Sequence, residues 1–342
     1  MENYRLRAYT ASDAQAVAYV INAAAAQTVG FPRAVVDSVG KLWAYRFVPL
    51  SSERIVAVDK DNTVVGYAYF KSGDDHIIGE TGGSVHPDRW EEGIGTALLA
   101  WVEQRVTEDS ADAPQGIRTV LQAICYEAER GAIQLFEDRG FHRVREWAHF
   151  VLEMNGPPVV PPLAPHLTLR EMDLENDWDL VGPAMEEAFA THWGAIPPGS
   201  YESPQEESVQ DDEPGREEET LEDTSYSNAP GYCFVILDGD TVAGGVLCNT
   251  KLVERADTGR IGSIFVRPRY RRQGLGRTLL LTAFDAFWKN GVRRIILDTD
   301  SKSFSNSASL YQGVGMSPYR SEFVYEKEIR AGREVRLLGS SE

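Results

Sequence analysis

A basic, glycine-containing turn between an apolar strand and an apolar helix is the part of this sequence best suited to chemistry. Gly274 and Gly276 let the backbone bend tightly and leave its amides uncovered. The first N–H groups of the following helix are free to bind an anion, and the positive end of the helix dipole favours one. Arg271, Arg272 and Arg277 add positive charge around the same point. The sequence therefore predicts a phosphate-binding turn, whose spacing is neither that of a Walker loop nor that of a dinucleotide turn.

The residues around this turn resemble the acetyl-CoA site of the GNAT N-acetyltransferases. The pattern is Arg-x-x-Gly-x-Gly after a strand that ends in Val-x-Pro, here Val266 and Pro268. The resemblance covers nearly the whole chain and implies acetyl-CoA as co-substrate, with no metal. It implies that the strand aligns the pantetheine arm while the turn holds the pyrophosphate. The residues implied to bind acetyl-CoA are Ile264, Phe265, Val266, Arg271, Arg272, Gly274, Leu275, Gly276 and Arg277.

The motif occurs twice in the chain. Residues 85–96 repeat the Val-x-Pro and Gly-x-Gly pattern at an offset of 181 residues, and residues 135–141 match residues 310–316 at an offset of 175. Such self-similarity decides the architecture. The chain is predicted to be α+β, with two tandem GNAT folds. Each is expected to have a central mixed, mostly antiparallel sheet flanked by helices.

Local patterns predict the same order of elements in both copies. The first copy opens with a strand at residues 4–9 and closes with a helix at 129–138 and a hairpin that ends near Met154. In the second copy, helices are predicted at 176–190, 274–289 and 305–312, and strands at 232–237, 241–249, 260–266, 292–298 and 321–328.

These patterns define the predicted domains. Residues 1–154 form an N-terminal domain, residues 155–165 a proline-rich, semi-rigid linker, and residues 166–342 a C-terminal domain with an acidic insert at about 200–230. Between Glu202 and Asp223, eleven acidic residues accompany one arginine. This run is either a solvated segment or an acidic lid at the acceptor site, and the sequence leaves both open.

The two turns differ in charge. The first has Trp90, Glu91 and Glu92 in place of Arg-Arg-Gln, and Thr96 replaces Arg277. Two carboxylates beside a pyrophosphate repel it by on the order of a kcal/mol each. The first copy is therefore expected to bind CoA poorly or not at all, which makes the C-terminal domain the catalytic one.

The sequence of the late helix also indicates that the C-terminal domain is the catalytic one. In the GNAT family a tyrosine at this position can donate a proton to the departing CoA thiolate, and Tyr311 matches it, whereas the first copy has Phe136. A tyrosine hydroxyl is a suitable donor because its ordinary pKa, about 10, exceeds that of a thiol, about 8.5. This asymmetry is similar to the layout of the mycothiol synthases.

The general base stays open. Mycothiol synthase has a glutamate on the strand before the turn, and alignment back from Pro268 puts Arg260 there. The attacking amine must lose a proton, so a base or an ordered water is needed. His192 has the most useful ordinary pKa. The candidates are His192 and Glu187 at the end of the first helix, Glu254 or Asp257 before the strand, and Asp298 and Asp300 at the end of the next strand.

Composition narrows the classes of partner. A net charge of -18 over 342 residues argues against nucleic acid and favours a neutral or cationic acceptor. Three cysteines without paired spacing and no membrane-spanning apolar stretch fit a cytoplasmic protein without a membrane partner. The tandem copies favour a monomer that is an internal pseudo-dimer.

The sequence thus predicts direct acetyl transfer from acetyl-CoA to the primary amine of a small molecule in the C-terminal domain. The N–H of Val266 or Phe265 would polarise the thioester carbonyl, and Tyr311 would protonate the thiolate. Two alternatives remain: a non-catalytic acyl-CoA-binding or sensing module, and acylation of a protein lysine or N-terminus.

Overall fold

The computed structural model describes residues 3–36, 40–44, 53–201, 231–250, 255, 257–301 and 307–338. The acidic run at 202–223 and Glu254 therefore lie outside the described residues. The chain divides into two compact units. Unit 1 consists of Met1–Glu146, Pro198–Ser208 and Ser321–Val335, and unit 2 consists of Trp147–Pro197, Val209–Arg320 and Arg336–Glu342.

Unit 1 contains a mixed sheet with helices packed against it. Its strands have the order β1-β4-β5-β6-β7-β14, and among these described strands only the β6–β7 pair is parallel. The elements are β1 (Tyr4–Ala8), α1 (Ala14–Thr28), β2 (Ala34–Val36), β3 (Leu42–Ala44), β4 (Glu53–Asp59), β5 (Val64–Ser72), β6 (Ile78–Val85), α2 (Ile94–Asp109), β7 (Thr119–Tyr126), α3 (Arg130–Asp138), the start of β8 (His142–Glu153) and most of β14 (Ser317–Arg330).

Unit 2 repeats this plan. Its strands have the order β9-β10-β11-β12-β13-β8, and among these described strands only the β12–β13 pair is parallel. The further elements are β9 (Leu167–Glu171), α4 (Trp178–Phe189), β10 (Phe234–Asp238), β11 (Thr241–Asn249), β12 (Thr258–Val266), α5 (Leu275–Lys289), β13 (Arg294–Asp300) and α6 (Ser307–Gly313). The predicted α+β class, with mixed, mostly antiparallel strand pairing in each unit, is confirmed.

The first helix of each unit is anchored to the first strand in the same way. In unit 1, Arg7 on β1 binds both carboxylate oxygens of Asp13 at 2.7 and 2.8 Å, and the Thr10 N–H donates to Asp13 at 2.8 Å. The Arg7 hydrogen bond lowers the pKa of Asp13 to about 2. In unit 2, Arg170 and Asp177 form the equivalent pair. An arginine on the strand and an aspartate at the helix start therefore fix where α1 and α4 begin.

The last strand of each unit comes from the other half of the chain. From Trp147 onward β8 belongs to unit 2, where it pairs with β13 from Asp300↔Trp147 to Arg294↔Glu153. Most of β14 belongs to unit 1, where it pairs antiparallel with β7. The units therefore do not follow the boundary at residue 154 expected from the sequence.

Two local predictions differ from the structure. The hairpin expected to end near Met154 was wrong, since β8 is one strand of 12 residues. It contains no Gly, Pro, Asn or Asp that would turn the chain. The short β2–β3 hairpin was not predicted from the sequence.

Both cores use the exchanged strands. In unit 2, Phe150 and Met154 of the first half of the chain belong to the core beneath α5, and in unit 1 Tyr325 of β14 packs with the residues of α2 and β7. Burying such side chains is the main favourable contribution to each unit.

Candidate active site

The two parallel strands of unit 2 separate before they end. Pairing between β12 and β13 runs from Thr258↔Arg294 to Arg260↔Ile296 and then stops, although β12 continues to Val266. Neighbouring strands cover the outer edges, β11 along β12 and β8 along β13. We call the opening between residues 261–266 and 297–300 the unit 2 cleft. Its inner edges carry backbone groups that an extended ligand can hydrogen-bond.

The register of β12 shows which backbone groups face this cleft. The Arg267 N–H donates to Ala243 at 3.0 Å, so the groups of Arg267 face β11. Because direction alternates along an antiparallel strand, Phe265 also faces β11, while Val266 and Ile264 face the cleft. Of the two N–H groups predicted to polarise the thioester carbonyl, that of Val266 faces the cleft and that of Phe265 faces β11.

The basic turn closes one end of the cleft. Arg272 has a φ of 63° and Gly274 a φ of 82°, and α5 begins directly afterwards. At Gly276 an added Cβ would lie 3.1 Å from Leu310 Cδ2. The glycine spacing therefore produces the left-handed turn and the uncovered helix start that the sequence predicts.

The three arginines of the turn have different surroundings. Arg271 donates from Nε to the Val266 carbonyl at 3.1 Å and from Nη2 to Ala188 at 3.0 Å, and Arg277 donates to the Gly313 carbonyl. Arg272 is exposed. Arg271 and Arg277 thus tie the turn to its neighbours as well as adding charge, a double role that the sequence did not indicate.

A cavity of about 690 Å³ occupies the unit 2 cleft. Its lining includes all nine residues that the sequence predicts to bind acetyl-CoA: Ile264, Phe265, Val266, Arg271, Arg272, Gly274, Leu275, Gly276 and Arg277. Tyr311 and His192 also line the cavity, whereas Glu187 does not.

Tyr311 lies in α6 and is 5% exposed. Burial raises its pKa to about 12, a hydrogen bond with Thr299 lowers it, and the charge of Asp298 raises it. Its ring packs 5.5 Å from that of Phe150. The hydroxyl therefore keeps its proton at every physiological pH, as a donor to a thiolate must.

His192 lines the cavity together with two other predicted base candidates, Asp298 and Asp300. Partial burial lowers its pKa from 6.5, with an opposing effect of Asp300 and a further lowering by Arg271. Its ring centroid lies 4.7 Å from that of Phe189. A lowered pKa favours the neutral imidazole at pH 7, which is the form that accepts a proton.

Three of the carboxylates predicted as candidate bases form ion pairs with arginine, and a fourth lines the cavity. Glu187 pairs with Arg267 at 2.8 Å, and Asp257 pairs with Arg255. Asp298 lines the cavity but pairs with Arg260, the residue at the position of the mycothiol synthase glutamate. Asp300 lines the same cavity as His192.

Two tryptophans of the cavity were not assigned from the sequence. Trp147 and Trp193 both line the cavity. Trp147 lies in the first sequence repeat and reaches unit 2 only because β8 pairs with β13, so no local pattern could assign it. Trp193, next to His192, could have been inferred from that neighbour.

Unit 1 has a matching cleft with different chemistry. Pairing of β6 with β7 stops at Thr81↔Ala123, and a cavity of about 700 Å³ lies there. Glu91 and Gly93 have φ values of 65° and 81°, nearly those of Arg272 and Gly274. The Trp90 Nε1–H donates to the Val85 carbonyl at 2.8 Å, so an indole replaces the Arg271 guanidinium without its charge.

In the parts of the chain that the structure describes, no group of three or more His, Cys, Asp or Glu residues could hold a metal ion. No described helix is long and apolar enough to cross a membrane.

The chain thus consists of two similar α+β units in tandem, each with a cleft and a glycine turn. The sequence profile of the acetyltransferase (GNAT) family matches residues 24–141 and 199–316, and the chain belongs to that family. A GCN5-related N-acetyltransferase from Sphaerobacter thermophilus is similar over 98% of each chain, with 25% identity and a TM-score of 0.75. A tandem GNAT protein from the clavulanic acid biosynthesis pathway covers 96% of this chain and 100% of its own, with 18% identity and a TM-score of 0.69. No protein of curated function matches.

Proposed function

We propose that unit 2 transfers the acetyl group of acetyl-CoA to the primary amine of a small neutral or cationic acceptor. The observation that carries this proposal is the coincidence, in one cavity, of an open strand edge, a basic helix start and a buried tyrosine. Acetyl-CoA supplies an activated thioester, and its amide arm and diphosphate match the strand edge and the turn. At Gly276 a side chain would meet Leu310, so the fit depends on the glycine.

The chain positions the reacting groups from two sides. Amides at the start of α5, with Arg272 beside them, hold the diphosphate. The N–H of Ile264 and the N–H of Val266 face the cleft and hydrogen-bond the ligand, and the latter polarises the thioester carbonyl. This arrangement stabilises the negative charge that develops on the carbonyl oxygen.

Proton transfer then involves two side chains. The amine forms its bond to the carbonyl carbon, and His192 accepts the proton that the amine loses. As the carbon–sulfur bond breaks, Tyr311 passes its proton to the sulfur, and the tyrosine is reprotonated from solvent. Asp300 and the net negative charge of the chain favour an acceptor that is neutral or positively charged.

The test is release of CoA thiol from acetyl-CoA in the presence of a panel of primary amines, using the full chain. Once an acceptor is found, Tyr311→Phe should lower kcat by about 10²-fold while the Kd for acetyl-CoA stays within a factor of about three. Tyr325→Phe is the matched control, because Tyr325 is also buried with a pKa of about 12 but lies in unit 1. Equal kcat for Tyr311→Phe and the unmodified chain would refute the acid role, and loss of activity in Tyr325→Phe alone would move the reaction to unit 1.

A further inference from the structure

One part of the unit 2 cleft has a carboxylate next to an indole. Asp300 and Trp147 lie directly opposite each other in the antiparallel pairing of β13 with β8, and both line the cavity. Residues opposite each other in such a pair project from the same face of the sheet, with Cβ atoms about 5 Å apart. Burial lowers the pKa of His192 and the charge of Asp300 opposes this effect, so the carboxylate lies near the imidazole ring. We call Trp147, His192, Trp193 and Asp300 the acidic corner of the cleft.

Aromatic rings connect the acidic corner with the proposed position of the thioester. The Phe189 ring centroid lies 4.7 Å from that of His192 and 6.5 Å from that of Phe265. Phe265 precedes Val266 in β12, and the Val266 N–H is the proposed donor to the thioester carbonyl. Phenyl rings do not hydrogen-bond as amides or hydroxyls do, so they suit apolar atoms. An acceptor that reaches from the thioester to the acidic corner therefore has an apolar middle part.

Backbone hydrogen bonds hold the loop that carries the acidic corner. The His192 N–H donates to the Phe189 carbonyl at 2.8 Å, and the Gly194 N–H donates to the Leu337 carbonyl at 2.7 Å. The Leu337 N–H donates in turn to the Ala195 carbonyl at 2.8 Å. A site that is ordered before its ligand arrives loses less conformational freedom on binding.

The Asp300 carboxylate suits a second cationic group better than it suits the reacting amine. An amine attacks only as the neutral base, and a carboxylate beside it stabilises the ammonium form. A cationic group elsewhere in the acceptor gains from both neighbours, because the carboxylate attracts its charge and the Trp147 indole adds a cation–π contact. A carboxylate has about four lone-pair sites, so Asp300 can bind a ligand as well as protein partners.

Unit 1 has a cation of its own at the corresponding place. Tyr126 is the last residue of β7, as Asp300 is of β13. The Arg33 guanidinium, from the segment after α1, lies 5.1 Å from the centroid of the Tyr126 ring and pairs with Glu129 at 2.9 Å. Unit 1 thus places a guanidinium between an aromatic ring and a carboxylate. The described residues that line the unit 2 cavity also include aromatic rings and a carboxylate, whereas the arginines among them all belong to the turn.

We infer that the acceptor is a primary amine that carries a second, cationic nitrogen, held between the Asp300 carboxylate and the Trp147 indole, with an apolar chain between its two nitrogens. The inference rests on the proposed acetyl transfer in unit 2 and specifies its substrate class. The chemistry of the transfer is unchanged: one nitrogen loses a proton and forms the amide, and the second nitrogen stays charged.

The test compares diamines with alkylamines, using the full chain and acetyl-CoA. The probes are α,ω-diamines and n-alkylamines with chains of two to six carbons. At the best chain length, kcat/KM for the diamine should exceed that for the alkylamine by at least about 10-fold, because only the diamine places a charge in the acidic corner. The matching ω-amino acid, which has a carboxylate in place of the second amine, should be the poorest substrate of the three. Equal kcat/KM for diamine and alkylamine at every length would overturn the inference and leave acetyl transfer intact.

Variants of the acidic corner test which residues bind the second cation. Asp300→Asn should reduce the ratio of the two kcat/KM values at least about 5-fold, and Trp147→Leu should do the same, whereas Trp147→Phe should retain most of the ratio. The ratio is the readout because an altered base or fold affects both amines alike. Asp240→Asn is the matched control, since Asp240 is exposed in the turn between β10 and β11 and its replacement changes the net charge equally. An unchanged ratio in Asp300→Asn would refute the assignment of the cation to this carboxylate.

Calorimetric titration of the full chain with each diamine, without acetyl-CoA, separates this inference from the proposed function. Diamine binding that Asp300→Asn weakens at least about 5-fold, with no acetylation of any amine, would refute acetyl transfer and support the cation site. No diamine binding at millimolar concentration, in a chain that acetylates alkylamines, would refute the cation site alone. Absence of both binding and acetylation would refute both proposals, and thermal melts check that each variant is folded.

Discussion

Reversing one charge in the unit 2 turn tests most directly whether acetyl-CoA binds in unit 2 and not in unit 1. Arg272 and Glu91 have φ values of 63° and 65°, so Arg272→Glu changes charge at an unchanged backbone position. At about 6 Å and an effective dielectric constant of about 40, two unit charges interact by about 1.4 kcal/mol, and salt at about 0.15 M reduces this to about 0.7. A change of two charge units opposite a diphosphate of charge about -2 changes about four such unit interactions, which costs about 3 kcal/mol. The Kd for acetyl-CoA should rise about 100-fold.

The assay is calorimetric titration of acetyl-CoA into the full chain at about 0.15 M and about 0.5 M salt. Arg272→Gln is the matched control and should lose about 10-fold, because it removes the positive charge without adding a negative one. Both losses should shrink at high salt. The reverse change, Glu91→Arg, should strengthen CoA binding in a chain whose unit 2 is closed by Gly276→Trp. A loss below about 3-fold in Arg272→Glu, or one that salt does not alter, would refute the electrostatic reasoning.

Three further predictions concern proton transfer, packing and strand exchange. Because the pKa of His192 lies below 6.5, kcat/KM should fall as pH drops through that pKa and level off above it, and His192→Gln should abolish this acid limb in the pH–rate profile. Gly259→Ala should lower the free energy of unfolding in urea by about 1–3 kcal/mol, because its Cβ would lie 2.5 Å from the ring of Phe287. In Gly182→Ala, in α4, the added Cβ meets nothing within 4 Å, so this variant should raise the free energy of unfolding by up to about 1 kcal/mol. Cutting the chain within residues 155–165 should give halves that fail to fold alone and fold when co-expressed, since each lacks a strand of its unit; cooperative unfolding of an isolated half would contradict this.

The sequence alone identified the glycine turn and showed that it occurs twice along the chain. Gly274 and Gly276 are recognisable from their spacing, because a left-handed residue and a close helix approach depend on local chemistry. The substitution of Phe136 for Tyr311 was equally visible, since a phenyl ring cannot donate a proton wherever it lies. The mixed sheets were predicted from the resemblance to the GNAT family, and the order of strands and helices that occurs twice along the chain agreed with it.

Only the tertiary structure decided which distant residues share the cleft. Trp147 enters unit 2 through the exchange of β8, and Asp298 is taken by Arg260 across the parallel strands. That the N–H of Val266 and not of Phe265 faces the cleft depends on the register with β11. Such facts follow from pairing between segments far apart in the chain, which local periodicity does not encode. The sequence thus specified the chemistry of the turn, and the fold decided which side chains and backbone groups meet it.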